Sequence, residues 1–290
     1  MRVLLPRTLD EALEMKAVSP DAVPIAGGTD VMVLLNFDRL RPPALLDVSR
    51  VPELQVWRTE GDHVFLGAGV TYSRIIRELA AFPPFVQAAR TVGSPQIRNR
   101  GTVGGNLGTA SPAGDALPVL AVYDADVVLG RAGGAARTLR WSEFLTGPKR
   151  TALAPDELIL GARWRRLRGP GSFSKIGTRN AMVIAIASLC LALDEEQRSV
   201  RVALGSVGPT IIRAVDAEEF AAKAMAEAGA WDDRRVPLPP GVVAEFAERV
   251  AAAARPIDDV RGTAAYRRHG CRVLARRAFG WALEDRRLAA

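Results

Sequence analysis

The chain has 290 residues, 48% of them hydrophobic and 24% charged, enough to bury one large core or two to three smaller ones in an ordinary globular protein. Two cysteines, Cys190 and Cys271, and two histidines, His63 and His269, form no metal-ligand spacing. That leaves too few ligands for an iron–sulfur cluster or a zinc or mononuclear iron site, so no protein-bound metal is expected and redox chemistry would have to be organic. The formal charge of +7 is spread among 32 acids, and only Lys16, Lys149, Lys175 and Lys223 among the 39 basic residues are lysine. This is an arginine-rich coding bias, and no nucleic-acid partner is expected. The longest apolar run, Ala181 to Leu193, falls short of the ~20 residues that cross a bilayer. The apolar part of Met1–Pro6 is too short for a secretion signal, so no membrane partner and a cytoplasmic location are expected.

In chain order, Leu9 to Ala17 has helical spacing behind a Thr8/Glu11 capping pattern. Val23–Ala26, a glycine pair at Gly27 and Gly28, and Val31–Leu35 then read as two apolar segments joined by a tight turn. Leu45–Val48 and Val64–Val70 are strand-like, and Tyr72 to Leu79 has one helical apolar face. Thr91 to Leu120, with six glycines and almost no charge after Arg100, reads as a long, irregular, buried loop system. Ala125–Leu129 and Glu157–Leu160 are strands that close the first unit. Gly169-Pro170-Gly171 marks a boundary, beyond which the run to Leu193, the polar turn Asp194–Gln197 and Val200–Leu204 form an antiparallel hairpin. Helical segments follow at about 217–229, 242–254 and 263–279.

Two glycine-rich loops carry the chemistry. Ala26-Gly27-Gly28-Thr29-Asp30 follows a β-type segment, and glycine there lets backbone N–H groups converge on an anion. Taken alone, that loop reads more readily as a plain hairpin turn, since glycine pairs are common in turns. Gly101-Thr102-Val103-Gly104-Gly105-Asn106, running on through Thr109, Ser111 and Asp115, interleaves small residues with neutral donors, which suits a pyrophosphate. Neither loop fits the Rossmann or P-loop pattern and neither holds Lys or Arg in its core, so a dinucleotide bound by backbone amides is favoured over nucleoside triphosphate hydrolysis. Asp30 and Asp115 would repel a phosphate and are expected to take hydroxyl or backbone partners, ribose or ribityl among them.

Gly104-Gly105-Asn106-Leu107-Gly108-Thr109-Ala110-Ser111-Pro112-Ala113-Gly114-Asp115-Ala116-Leu117-Pro118 resembles the flavin loop of the xanthine dehydrogenase family of molybdenum hydroxylases. Ala26–Asp30 resembles that family's first pyrophosphate loop, and Ser94-Pro95-Gln96-Ile97-Arg98-Asn99-Arg100 its lead-in to the second. Pro155–Ile159, Gly205-Ser206-Val207-Gly208-Pro209-Thr210 and Tyr266-Arg267-Arg268 extend the resemblance over nearly the whole chain. It implies the medium, FAD-carrying subunit, similar also to the carbon monoxide dehydrogenase flavoprotein subunit. The implied fold is α+β, with an FAD-binding domain over 1–168 in two subdomains, about 1–55 and 56–168, resembling vanillyl-alcohol oxidase and p-cresol methylhydroxylase. A C-terminal flavoprotein domain over 172–280, with an antiparallel sheet and helices, completes it.

The resemblance implies that FAD is held by Ile25, Ala26, Gly27, Gly28, Thr29, Asp30, Thr102, Gly104, Gly105 and Asn106, with Thr109, Ser111 and Asp115 around the flavin and ribityl chain. Leu158 and Ile159 fall where aliphatic residues meet the cofactor rings, though they suit a plain core strand as well. Lys175 falls where a lysine lies near the flavin ring and counts as the catalytic candidate, a cation suited to the charge gained on reduction; a surface lysine opening a strand is the alternative. Three departures from the xanthine-type pattern stand out. Met182 and Val183 replace an acidic pair after Arg179, Val92 stands in place of an aromatic residue, and Trp164-Arg165 replaces Ile-Pro, which weakens the case for xanthine as substrate. Arg268, Arg272 and Arg276, at four-residue spacing, suit a solvated helix face or contact with an acidic partner.

The function implied is electron transfer from [2Fe-2S] clusters of an iron–sulfur partner subunit, supplied by a molybdopterin partner subunit, through FAD to NAD+ or another acceptor. A carbon monoxide dehydrogenase or aromatic-CoA reductase subunit, or an assembly scaffold without flavin, are the alternatives.

Overall fold

The computed structural model describes residues 1–289. It divides into two compact units: Met1–Glu78, Val92–Ser111 and Asp124–Arg165 make the first, and Leu79–Thr91, Pro112–Tyr123 and the chain from Arg166 onward make the second.

In the first unit, β1 (Arg2–Leu4), β2 (Val23–Ile25) and β3 (Ala44–Asp47) form a parallel sheet in the order β1-β3-β2. Parallel neighbours need crossover connections, and helices Leu9–Val18 and Val31–Asn36 lie in them. Thr8 caps the first, its hydroxyl accepting from Glu11 N at 3.2 Å, while the Glu11 carboxylate accepts from Arg7 N at 2.7 Å. The return arm of the capping pattern thus reaches one residue beyond the cap. Val31–Leu35, an apolar arm beside a turn in the sequence, is helical: Leu35 is buried, and Met32 and Val33 are exposed.

The same unit holds β4 (Trp57–Glu60), β5 (His63–Gly67), β6 (Asp126–Gly130), β7 (Arg137–Arg140), a small ribbon of β8 (Leu145–Gly147) with β9 (Arg150–Thr151), and β10 (Leu158–Arg165). An antiparallel sheet runs β4-β5-β10-β6-β7. Its apolar core gathers Ala12, Leu46, Val51, Leu54, Ala68 and Leu158.

The stretch expected to be irregular from Thr91 to Leu120 contains three short helices, Pro95–Arg100, Val103–Thr109 and Ala116–Val122. Capping explains the first two. The Ser94 hydroxyl accepts from Ile97 N with Pro95 in the first turn, and the Thr102 hydroxyl accepts from Gly105 N at 3.0 Å. Each such cap contributes about 1 kcal/mol, comparable to the helix penalty of a glycine.

In the second unit β11 (Gly171–Ile176), β12 (Ala187–Asp194), β13 (Ser199–Gly205) and β14 (Ile212–Arg213) form an antiparallel sheet in sequence order. The hairpin read from the sequence is β12–β13. Every residue of β12 is buried because helices cover both faces, as a continuous apolar run requires. On one face Leu189, Leu191, Leu193, Val202 and Leu204 pack against helices Val215–Glu227, Val242–Ala253 and Ala264–Leu288. The last helix extends well past the expected Phe279.

The other face is lined by small residues at consecutive cross-strand positions, Ser188 beside Gly205 and Cys190 beside Ala203, and Ala116–Val122 packs there. A Cβ at Gly205 would lie 2.4 Å from Ser188 Oγ and 2.9 Å from Pro118 Cγ, so the helix approaches at a distance only glycine permits. Its C-terminal carbonyls are taken by arginines, Val122 O by Arg201 Nη1 at 3.4 Å and Ala121 O by Arg213 Nη1 at 2.9 Å. No described helix is long and apolar enough to cross a membrane.

Phe246 and Phe279, fully buried with ring centroids 4.6 Å apart, join two of these helices. Phe279→Ala is expected to destabilise the second unit by about 3–5 kcal/mol in denaturant unfolding.

Candidate functional site

The first glycine loop leaves the C-terminal end of β2 and leads into helix Val31–Asn36. Gly28 has φ +77°, in the left-handed region that disfavours side chains. A Cβ at Gly27 would lie 2.0 Å from Arg100 O, so this loop and the lead-in to the second run backbone against backbone. None of the backbone N–H groups of Gly27, Gly28, Thr29 and Asp30 is taken by another described residue. Four consecutive free donors, half-buried except at Asp30, make an arrangement that would suit an anion, as backbone nests do.

The second loop is held from below. Gly104 N donates to Ala68 O at 2.9 Å, Val103 N to Val70 O at 3.3 Å and Tyr72 N to Gly101 O at 3.1 Å. A Cβ at Gly104 would meet Ala68 Cβ at 2.5 Å. Gly105 N is bound to Thr102 Oγ1 and Asn106 N to Thr102 O. The amides of 103–106 are therefore already bonded, and the expectation that both loops offer free N–H groups holds only for the first. Gly105 itself is exposed, and a Cβ there would meet only Thr102 Oγ1, at 3.2 Å.

The two loops are tied together. Thr109 Oγ1 donates to Asp30 Oδ2 at 2.9 Å, so the hydroxyl partner foreseen for Asp30 comes from the protein. Arg100, which sequence reasoning passed over because it flanks the loop core, turns its guanidinium to Gly27 O at 3.5 Å and Ala26 O at 3.4 Å. It places a positive charge beside the first loop; the only signal for it was its place in the lead-in to the second. Ile25 ends β2 beneath the loop. Leu158 lies in the apolar core of the first unit, and Ile159 reaches Gly108, 3.6 Å from where a Cβ would stand there. Ser111 closes the second loop in this unit.

Asp115 and Lys175 belong to the second unit and find each other. Lys175 Nζ lies 2.7 Å from Asp115 Oδ2 and 3.1 Å from Thr91 O, with side chains 7% and 6% exposed. Thr91 Oγ1 donates to the same Asp115 oxygen at 3.1 Å. The surface-lysine alternative is thus overturned, and the partner foreseen for Asp115, a hydroxyl or backbone group, is in the first place an ammonium. Burial pushes the Asp115 carboxyl above the usual carboxylate range, opposed by the Lys175 charge and the hydrogen bonds of Lys175 and Thr91. Its other oxygen, Oδ1, is buried with no hydrogen-bond partner, an open acceptor of the kind a bound ligand satisfies.

Elsewhere, Arg179 binds its own loop, its Nε donating to Ala181 O at 3.0 Å. Arg268, Arg272 and Arg276 are exposed, and Arg272 pairs with Glu248 at 2.7 Å. No group of His, Cys, Asp or Glu among the described residues could hold a metal ion.

A half-buried run of free amides at the end of a parallel strand, beside a close glycine approach and an arginine, has the chemistry that suits a phosphate group. Residues 1–163 match the family described as the FAD binding domain in molybdopterin dehydrogenase, and residues 172–282 match the CO dehydrogenase flavoprotein C-terminal domain. The chain belongs to this family of FAD-binding oxidoreductase subunits. It is 31% identical over 278 residues to the glyceraldehyde dehydrogenase medium chain of Sulfolobus acidocaldarius, covering 94% of each. It is also 34% identical over 224 residues to the caffeine dehydrogenase subunit beta of a Pseudomonas species, covering 72% of this chain and 73% of that one. Its structure matches a chain of the carbon monoxide dehydrogenase of Hydrogenophaga pseudoflava with a TM-score of 0.84 at 25% identity, over 99% of this chain and 98% of that one.

Lys175→Met leaves the Asp115 carboxylate buried without its cation and is expected to cost about 3–5 kcal/mol of stability. The double variant Lys175→Met/Asp115→Leu should recover most of that loss in the same unfolding measurement.

Proposed function

We propose that this chain is the FAD-carrying electron-transfer subunit of a xanthine dehydrogenase-like molybdenum hydroxylase, taking electrons from [2Fe-2S] clusters on an iron–sulfur partner and passing them to NAD+ or another acceptor. A third, molybdopterin-bearing partner would oxidise the substrate, and the assembly would be cytoplasmic. The observation that carries the reading is the run of four free amides at Gly27–Asp30 in a chain that belongs to an FAD-binding family.

The residues fit the group. The free N–H groups and the Arg100 guanidinium suit a diphosphate, and the exposed, Cβ-free surface of Gly105 allows close approach to the second loop. Thr102, Gly104 and Asn106 hold that loop in shape, while Thr109, Ser111 and Ile159 line its continuation. Leu158 supports it from the core. Asp115 and Lys175 serve the flavin ring as a pair, with Asp115 Oδ1 ready to accept from it; the lysine's charge is offset by its partner. FAD supplies one- and two-electron chemistry when bound, and the protein's contribution is to position and tune it.

The division into an FAD-binding domain at 1–168, with subdomains at about 1–55 and 56–168 resembling vanillyl-alcohol oxidase, and a C-terminal domain at 172–280 belongs to the same reading. A carbon monoxide dehydrogenase-type assembly is the second reading, favoured by the match of residues 172–282 to that enzyme's flavoprotein C-terminal family. Turnover of the complete assembly with carbon monoxide, purines and aldehydes, each with NAD+, quinone or oxygen as acceptor, separates the two.

The purified chain should be yellow, with flavin absorbance. Gly105→Val is expected to fold, because position 105 is exposed and a Cβ there meets only Thr102 Oγ1, yet to lower FAD affinity about tenfold or more. Gly104→Ala, facing Ala68, should lose stability first. Unaltered flavin content in a folded Gly105→Val protein would count against the second loop as a cofactor surface.

A further inference from the structure

Two segments that carry the family resemblance, Gly205–Thr210 and Tyr266-Arg267-Arg268, meet at one buried side chain. Arg267, in the first turn of helix Ala264–Leu288, is 3% exposed. Its Nη1 donates to Ile186 O at 2.6 Å and Ser206 O at 2.8 Å, its Nη2 to Asp259 Oδ1 at 2.6 Å, and its Nε reaches Gly262 O at 3.5 Å. Only a planar guanidinium, with five donors in a fixed fork, can hold such diverging oxygens at once.

Ser206 is the consequential partner. It sits at φ +63°, a conformation a serine does not keep unaided. It is fixed from both sides: its carbonyl accepts from Arg267, and its N–H donates to Pro112 O at 2.8 Å. Pro112 opens the segment that ends in Asp115 and enters helix Ala116–Val122. The neighbouring Gly205 lies against Pro118 of that helix and is the cross-strand partner of Ser188, whose other partner is Lys175. One row across three strands thus carries Lys175 on β11 and the Gly205 turn on β13, and the 112–118 segment bridges them.

We infer that Arg267 is a positioning residue. By locking the Ser206 turn it fixes Pro112, and through Pro112 it sets Asp115 at hydrogen-bonding distance from Lys175. The guanidinium's hydrogen bonds all go to protein oxygens, so it acts through a backbone turn. The inference rests on the reading that Asp115 serves the flavin, and it adds a residue of the C-terminal helix as a determinant of flavin retention.

The test uses the intact complex with Arg267→Ala, Arg267→Lys and Asp259→Asn, the last because it removes the negative charge of a partly exposed partner with little risk to folding. Two quantities are measured in each: amide exchange in the 112–123 and 200–210 segments, and the rate of FAD release. Both are expected to rise about tenfold in the Arg267 variants, the effect of losing one hydrogen bond to a charged group, and less in Asp259→Asn. Lysine should not rescue, since it keeps the charge and loses the fork.

A fall in melting temperature with unchanged exchange at 112–123 and unchanged FAD release, in a folded Arg267 variant or in Asp259→Asn, makes Arg267 a simple fastener and overturns the proposal. Wild-type values in Arg267→Lys overturn it as well. Faster exchange without faster FAD release overturns the flavin half; Asp115→Asn then also leaves FAD release unchanged, which locates the failure in the flavin reading and not in the positioning chain.

Discussion

Backbone N–H groups in a folded protein are mostly paired within the chain or by water, and in the first unit four in succession find no partner in the described chain. Gly27 to Asp30 face no acceptor of the described chain because the turn that carries them is spent on another constraint, the approach of Gly27 to the carbonyl of Arg100. Occupying the second loop's amides with Ala68, Val70 and Thr102 makes that loop rigid. A rigid second loop is what keeps the first in place. One loop offers donors, the other is the wall they are held against, and the Thr109–Asp30 bond closes the join.

The second unit solves a different problem by comparable means. A charged pair, Asp115 and Lys175, is buried, which is costly unless each charge meets a partner. The small residues Ser188, Cys190, Ala203 and Gly205 let helix Ala116–Val122 lie close to the sheet, and the closeness brings Asp115 to Lys175. Arginines at the far end of the helix take its last carbonyls, and Arg267 secures the turn beside its start. The residual imbalance is Asp115 Oδ1, buried and without a donor. A site that keeps such an atom is organised for something besides stability.

Much of this was legible in the residues. The glycine pair after a β-type segment, the hairpin around Asp194–Gln197 and the three C-terminal helical segments follow from local pattern, because period and turn chemistry act over a few residues. The stretch from Thr91 to Leu120 was misjudged: its glycines argued for loops, while two short-range caps, Ser94 and Thr102, were sufficient for helices. Val31–Leu35 was likewise too short and too uniformly apolar for period to separate helix from strand. What could not be read at all were the long-range pairs. Nothing local tells Asp115 that its partner stands 60 residues on, or Arg267 that its fork spans Ile186, Ser206 and Asp259. Nor does a sequence show that the amides of 103–106 are spent internally while those of 27–30 are not.

The most direct test is residue-resolved amide exchange in flavin-free and FAD-loaded protein. FAD binding should slow exchange at Gly27, Gly28, Thr29 and Asp30 about tenfold or more, the effect of newly made hydrogen bonds. The amides of 103–106, already bonded, should change little. Stoichiometric FAD with no slowing at 27–30 would contradict the cradle and with it the account of how this fold holds its cofactor.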